Sequence, residues 1–304
     1  MERVVSFEQP MGYDTMTKWL GQLQEKYPEQ FDLLSIGSSW MERQLCCAAL
    51  GSGEEAVVYV GTHHAMEWVG AQILMRFLED ALRGIAEKSR IMGYYVPAVF
   101  QKCRLYIIPM LNPDGVELCL SGIEPEHFLY ERLVRQNGGS SDFSRWQANL
   151  RGVDLNHNYD YRWNEQKEFE LQNDIVTGGP TRYGGESPES EKETAALCGF
   201  LRVVSPRLLI SFHSQGEEIF CDMSPSAPHG SLNTASLLAR LCGYRLSEAE
   251  GFSACGGLKD WFMKIFNKPA YTVELGRGEN PLPLSDFEGI YKKILPLLLT
   301  APVL

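Results

Sequence analysis

No two cysteines in this 304-residue chain have the CxxC spacing of a redox or zinc-ribbon pair. The eight present are Cys46, Cys47, Cys103, Cys119, Cys198, Cys221, Cys242 and Cys255. Most lie in apolar runs such as QLCCAAL, CRLYIIP and ALCGFL. A thiol in such a run behaves as a small hydrophobe, so free thiols in a reducing compartment are expected rather than disulfides. No apolar run reaches the roughly 18–20 residues of a membrane span, so no membrane partner is expected. The first residues, MERVVSFEQPMGYDTM, lack a basic start followed by an apolar stretch; the expectation is no secretory signal and a cytoplasmic location. Positive charge is scarce, with 28 Lys and Arg against 39 Asp and Glu, for a net charge of −11. That argues against nucleic acid as the main partner, because phosphate binding needs a basic face. It does not exclude a small acidic substrate, since one pocket can be basic on an acidic protein. Repeats, low-complexity tracts and linkers are absent too, so residues 1–304 read as one domain.

Hydrophobic residues make up 44% of the chain and charged residues 22%, enough apolar material for a sizeable core. Residues 14–27 and 66–87 have helical apolar spacing. FDLLSIG, QLCCAALG, AVVYVGT, CRLYIIPM, RLLISFH and PAYTVELG read as strands. Residues 187–204 open with a helix-start signal. Residues 231–243 and the terminal FEGIYKKILPLLLTA complete the helices. NPDG (112–115) reads as a turn. Residues 120–185 read as a long irregular region, rich in Gly, Asn, Asp and Arg, and its many aromatics favour order and function. Alternating strands and helices predict an α/β fold.

The reactive residues collect where strands end. AVVYVGT runs into His63 and His64, RLLISF into His213, and AYTV into Glu274. Sites in open α/β sheets lie at the carboxyl ends of strands. A catalytic zinc needs three protein ligands and one open position. His64 and Glu67 are three apart, so one turn at a helix start aims both at one ion, and His213 supplies a third ligand. His63 and Glu67, four apart, can also converge. The alternative is a polar turn with no metal. Glu274 stands alone on an apolar strand, where a buried acid is costly. It reads either as a general base or as a partner for Arg277 or Lys259.

Five segments in order resemble the zinc carboxypeptidase family: HAMEW, NPDG, RGVDLNHNYD, SFHSQGEE and YTVELG. Together they span roughly residues 10–300. The resemblance implies a mixed eight-stranded sheet between helices in a single α/β domain. It implies one zinc ion on His64, Glu67 and His213, choosing His64 over His63, with Glu274 as general base. YGGESPESEKET, SFHSQGEEIF, GGLKDWF and ELGRGENPLPL further resemble the bacterial branch that cuts γ-D-glutamyl-meso-diaminopimelate bonds in murein peptides. In that alignment Lys259 falls at the pocket position that sets side-chain preference, and a cation there favours a side-chain carboxylate, which both meso-diaminopimelate and glutamate carry. The bland reading of Lys259 is a solvated lysine paired with Asp260.

Several positions depart from the digestive members. Asn156 is followed by His157 where those have an arginine that grips the terminal carboxylate, and a neutral imidazole binds carboxylate more weakly than a guanidinium fork. Gln147 stands where an arginine polarises the scissile carbonyl, with Arg145 and Arg151 as the nearest substitutes. Phe252 replaces the tyrosine that faces substrate. The resulting expectation is a zinc peptidase acting on imported muropeptides in a bacterial cell, with release at lysis or sporulation as the alternative. Asn156 and His157 then hold a carboxylate, with Phe252 and Lys259 also at the substrate. The rival readings are a carboxypeptidase or N-acyl amino acid deacylase of the same fold, and a non-catalytic binding module. The oligomeric state is not readable.

Overall fold

The structure, a computed structural model, describes residues 3–304. Helix α1 (Tyr13–Lys26) buries Met16, Leu20 and Leu23 on one face, as its apolar spacing predicts. Strands β1 (Phe31–Ser38), β2 (Gln44–Leu50) and β3 (Glu55–Gly61) follow. A 3-10 turn at Ala65–Glu67 leads into α2 (Val69–Ala86). A small hairpin of β4 (Arg90–Ile91) and β5 (Tyr94–Tyr95) precedes α3 (Val96–Lys102) and β6 (Cys103–Ile108). The middle of the chain holds α4 (Pro113–Ser121), α5 (Tyr130–Gln136), α6 (Trp163–Gln172) and α7 (Lys192–Val204). Then come β7 (Leu208–Ser214), β8 (Glu218–Phe220), α8 (Ser231–Cys242) and β9 (Arg245–Ser247). The last elements are α9 (Leu258–Phe266), β10 (Ala270–Leu275) and α10 (Phe287–Thr300).

Eight strands form one mixed sheet in the order β1-β2-β6-β3-β7-β10-β8-β9. Its centre, β6-β3-β7-β10, is parallel; β2 pairs antiparallel with both β1 and β6, and β8 antiparallel with β10. Side chains alternate between the two faces of each strand. Val57 and Tyr59 of β3 pack into a large core with α1, α2, α3, α8 and α10, while Val58 and Val60 pack with α7 and α9. Leu208, Ile210 and Phe212 of β7 join the large core, as do Tyr271, Val273 and Leu275 of β10. The intervening residues, Ser211 and His213 on β7 and Thr272 and Glu274 on β10, therefore fall on the α9 face.

NPDG is not a free turn. Asn112 caps α4, accepting from Gly115 N at 3.1 Å, and Pro113 occupies the first helical turn, where its missing N–H costs nothing. The Asn112 amide also donates to the carbonyls of His63 (2.9 Å) and Ala148 (3.1 Å), which ties three segments together. Residues 120–185 are more regular than their composition suggests, since they contain α5, α6 and a 3-10 turn at Leu155–His157. The three-residue strands β8 and β9 were not anticipated; they are too short to show a period. Helix α7 starts only at Lys192, five residues after its sequence signal at Ser187. All eight cysteines are buried and unpaired. No helix among the described residues is long and apolar enough to cross a membrane.

Replacing Asn112→Ala is expected to destabilise the fold by about 3 kcal/mol, from a lost cap and two buried carbonyls left without a donor. A shift of the urea midpoint would read this out. A second test concerns Glu193 of α7, which is fully buried close to Asp114 and Glu191. Burial, with those acids, pushes its carboxyl up to about 7. The native state then keeps a proton that the unfolded chain has already lost, so this group removes stability as pH rises from 4 to 8. Glu193→Gln should gain roughly 3 kcal/mol on wild type between those pH values in paired unfolding curves.

Candidate active site

The segment after β3 is held in place from two sides. Leu111 N donates to Gly61 O and Asn112 N to Thr62 O, both at 3.1 Å. Ala65 N and Met66 N donate to Gln147 O (2.9 Å) and Trp146 O (3.1 Å). The 3-10 turn that results brings His64 and Glu67 together, with 2.9 Å between His64 Nδ1 and Glu67 Oε1. His213, at the end of β7, completes the cluster. Its Nδ1 lies 3.1 Å from Glu67 Oε2 and 3.3 Å from His64 Nδ1. Burial alone would raise the Glu67 carboxyl, but the two histidines outweigh it and hold it at about 2. His63 does not join the cluster. It is fully buried, its Nε2 lies 2.9 Å from Tyr159 Oη, and its ring stacks on that of His213. Burial, then the neighbouring histidines, keeps it neutral.

Two imidazole nitrogens and a carboxylate form a donor set that zinc takes. His64, Glu67 and His213 offer such atoms within 4.8 Å of one another. Two ring nitrogens facing each other beside a buried carboxylate suit a divalent cation better than they suit each other. The other nitrogen of a metal-binding imidazole usually meets a carboxylate. Asp154 fills that role here, with Oδ1 3.1 Å from His64 Nε2. Sequence reading passed over Asp154. Its signal was the one acid inside RGVDLNHN, directly before the Asn–His pair by one leucine. Asp154 Oδ2 accepts from Arg182 N at 2.9 Å. Although burial opposes ionisation of Asp154, the histidines and these hydrogen bonds hold it ionised. The loop bearing it is pinned by Asn149, whose amide donates to Glu191 Oε2 at 2.8 Å and whose carbonyl accepts from Val153 N at 3.0 Å.

Glu274 sits in register with His213 on one side and Glu218 on the other. Neither of its alternative partners reaches it, since Arg277 pairs with Glu217 at 2.9 Å and Lys259 pairs with Asp260. Burial first, then Glu67 and Glu218, raises its carboxyl well above the usual range. Glu274 stands where two hollows meet. One is a cavity of about 190 Å³ between the histidines and α9, lined by Asn156, His157, Thr272, Lys259 and Asp260 among others. The second, of about 460 Å³, opens past Glu67 and Gln147 to Arg145 and Glu279.

The remaining residues expected at the substrate fall as follows. Asn156 accepts from Leu258 N through its carbonyl (3.2 Å), which leaves its amide N–H groups to donate into the cavity. His157 donates from Nδ1 to Cys255 O at 2.9 Å, and burial lowers its pKa. A neutral ring so bonded offers a lone pair at Nε2, so it attracts a carboxylate only when protonated. Phe252 stacks on His157 and on Phe169, with ring centroids 3.9 and 4.1 Å apart. Lys259 is not a solvated lysine; it is 6% exposed, on the cavity wall. Of the two arginines weighed as carbonyl-polarising substitutes, Arg145 reaches the open hollow, and Arg151 turns to Glu191.

Such a cluster at the carboxyl ends of parallel strands is the plan of a metallopeptidase. The sequence pattern of the zinc carboxypeptidase family matches residues 16–295, and the chain belongs to that family of zinc metallopeptidases. It is 33% identical over 297 residues to gamma-D-glutamyl-L-diamino acid endopeptidase 1 of Lysinibacillus sphaericus, covering 98% of this chain and 73% of that one. Thrombin-activatable fibrinolysis inhibitor superposes with a TM-score of 0.76 at 20% identity, over 99% of this chain and 76% of that one. Murein-tripeptide amidase MpaA of Escherichia coli O157 superposes with a TM-score of 0.52 at 20% identity, over 90% of this chain and 94% of that one. These two structural likenesses concern the fold.

Asp154→Asn should weaken zinc binding by about 10–100-fold. Competition titration against a chromophoric chelator measures it, with circular dichroism to check the fold. Unchanged affinity would remove Asp154 from the metal site.

Proposed function

We propose that this chain, with one zinc ion on His64, Glu67 and His213, hydrolyses an amide bond in murein-derived peptides. The bond we assign is γ-D-Glu–meso-diaminopimelate. The observation that carries this reading is the position of Glu274, between the histidine–carboxylate cluster and a small cavity whose wall holds a buried lysine. The name of the Lysinibacillus sphaericus relative, an endopeptidase for gamma-D-glutamyl-L-diamino acid bonds, supports the same substrate class.

Zinc, when bound, supplies a Lewis acid that polarises the scissile carbonyl and acidifies water. Glu274 takes the proton of the attacking water and delivers it to the departing amine. The leaving residue lies in the cavity. Its backbone carboxylate accepts from the Asn156 amide, and from Nε2 of the His157 ring when that ring is protonated; the carboxylate at the end of its side chain accepts from Lys259. Phe252 holds the His157 ring in place by stacking. The acyl part runs into the open hollow, where Arg145 is the cation nearest the reacting centre. A leaving residue that carries carboxylates suits a site whose permanent donors are an amide and an ammonium. Buried, unpaired thiols suit a reducing compartment, and we place the reaction in the cytoplasm of a bacterial cell.

Zinc-loaded protein should release meso-diaminopimelate from L-Ala-γ-D-Glu-meso-diaminopimelate, followed by mass spectrometry, and a chelator should stop it. Glu274→Gln should lower kcat by about 10²–10⁴-fold and still bind zinc. No release by wild type, or full activity in Glu274→Gln, overturns the reading.

A further inference from the structure

A separate cavity, of about 310 Å³, lies between α5 and the loop that carries Asp154. Arg132 and Gln136 are four apart on α5 and so share one face of the helix. Both reach across to the loop backbone, Arg132 Nη2 donating to Leu150 O at 2.9 Å and Gln136 Nε2 to Arg151 O at 3.4 Å. Both also line the cavity, together with Arg151, Val153 and Val176. The charges there are poorly matched. Arg132 has no ion pair among the described residues, and its guanidinium sits over the Trp40 ring, 5.5 Å from the centroid. Burial, then the like charge of Arg151, pushes that guanidinium below its usual range. The buried acid Glu191 is 3.7 Å from Arg151 and already accepts from Asn149 and Ser190, each at 2.8 Å. Glu186, the other acid lining the cavity, is exposed. Two buried atoms also lack a partner among the described residues: Arg132 Nε, a donor, and Gln136 Oε1, an acceptor.

A buried donor or acceptor left unpaired costs about 1–3 kcal/mol, and a desolvated cation without an anion costs more. A guanidinium is a fork that matches the two oxygens of a carboxylate. The bond to Arg151 O fixes the Gln136 amide, so its Oε1 calls for an N–H donor. We infer that this cavity is a second binding site, for a small carboxylate that bears an N–H close by, as the C-terminal end of a short peptide does. Arg132 and Arg151 donate to the carboxylate, Gln136 Oε1 accepts from the N–H, and Val153 and Val176 meet the carbon atoms. The site lies behind the metal cluster, not in it. Successive side chains of extended backbone point to opposite sides; Val153 faces this cavity and Asp154 faces His64. An occupant that ties α5 to the loop therefore steadies Asp154, and by linkage it and zinc strengthen each other's binding. The binding itself does not depend on the reaction proposed above; the coupling rests on the metal site.

The probe is N-acetylglycine, whose carboxylate is one carbon from an N–H, titrated by calorimetry into the zinc-loaded chain. N-acetylglycinamide lacks the charge and N-acetylsarcosine lacks the N–H. Arg132→Met removes the proposed donor, whereas Asn156→Ala removes a donor of the active-site cavity, so the two carboxylate sites are distinguished. Thermal melting checks that both variants fold. N-acetylglycine should bind wild type and Asn156→Ala alike, and Arg132→Met about tenfold or more weakly, the loss of one charge-assisted hydrogen bond. N-acetylsarcosine should bind wild type about threefold or more weakly than N-acetylglycine, and N-acetylglycinamide more weakly still. If Arg132→Met does not fold, Gln136→Glu, an isosteric change that sets a carboxylate against that of the probe, should weaken binding in its place. Saturating N-acetylglycine should also tighten zinc on wild type, and not on Arg132→Met, in competition against a chromophoric chelator. Binding lost in Asn156→Ala and kept in Arg132→Met would assign the probe to the active site and overturn the inference. So would no binding by wild type, or equal binding of N-acetylglycinamide. Zinc affinity indifferent to N-acetylglycine would overturn the coupling.

Discussion

The site depends on the register of three parallel strands. β7 lies between β3 and β10, with Gly61 opposite Phe212 and Glu274 opposite His213. The strands therefore end side by side. Their side-chain period is two, and one face is filled by the large core, so a slip by one residue would turn His213 and Glu274 into apolar packing. The hydrophobic residues at 208, 210 and 212, and at 271, 273 and 275, fix where the reactive residues point. The chemistry and the core are two readings of the same alternation.

What the sheet does not supply, one loop does. Residues 149–158 contribute the carboxylate behind His64, the amide of Asn156 and the ring of His157, and they carry no long element of their own. Their stiffness comes from asparagines used as braces. Asn149 joins the loop to α7, and Asn158 donates to the carbonyls of Gly184 and Ser187 at 2.6 and 3.1 Å. Buried amides of this kind satisfy backbone groups that an irregular loop would otherwise leave unpaired.

Much of this was legible in the sequence, and what escaped did so for physical reasons. Strands β3, β7 and β10 announce themselves because they are buried on both faces and read as apolar runs. The cluster of His64, Glu67 and His213 follows from strand ends and a three-residue spacing, but periodicity alone could not choose between His63 and His64. The choice is made by what stands behind each ring, an acid for His64 and a tyrosine hydroxyl for His63, and those contacts span 90 and 96 positions. Asp154 escaped for the same reason. The cap at Asn112 looked like a turn because a cap and a turn use the same residues. Lys259 was legible as a cation in a pocket. Its commitment to Asp260, one position away, was weighed in the sequence only as the mark of a surface lysine; burial of the pair changed its meaning.

One consequence of the metal site concerns the lifetime of the protein. His64 and His213 are 149 positions apart, and an ion held by both would tie the turn after β3 to the end of β7 at the carboxyl edge of the sheet. An ion that binds only the folded chain adds stability by mass action, about 2.7 kcal/mol when free ion exceeds its dissociation constant a hundredfold. Loss of such an ion would loosen the molecule. Unfolded chains are the ones that proteases remove. The amount of folded protein in a cell would then follow the supply of metal, and copies lacking the ion would be cleared in preference to copies that hold it.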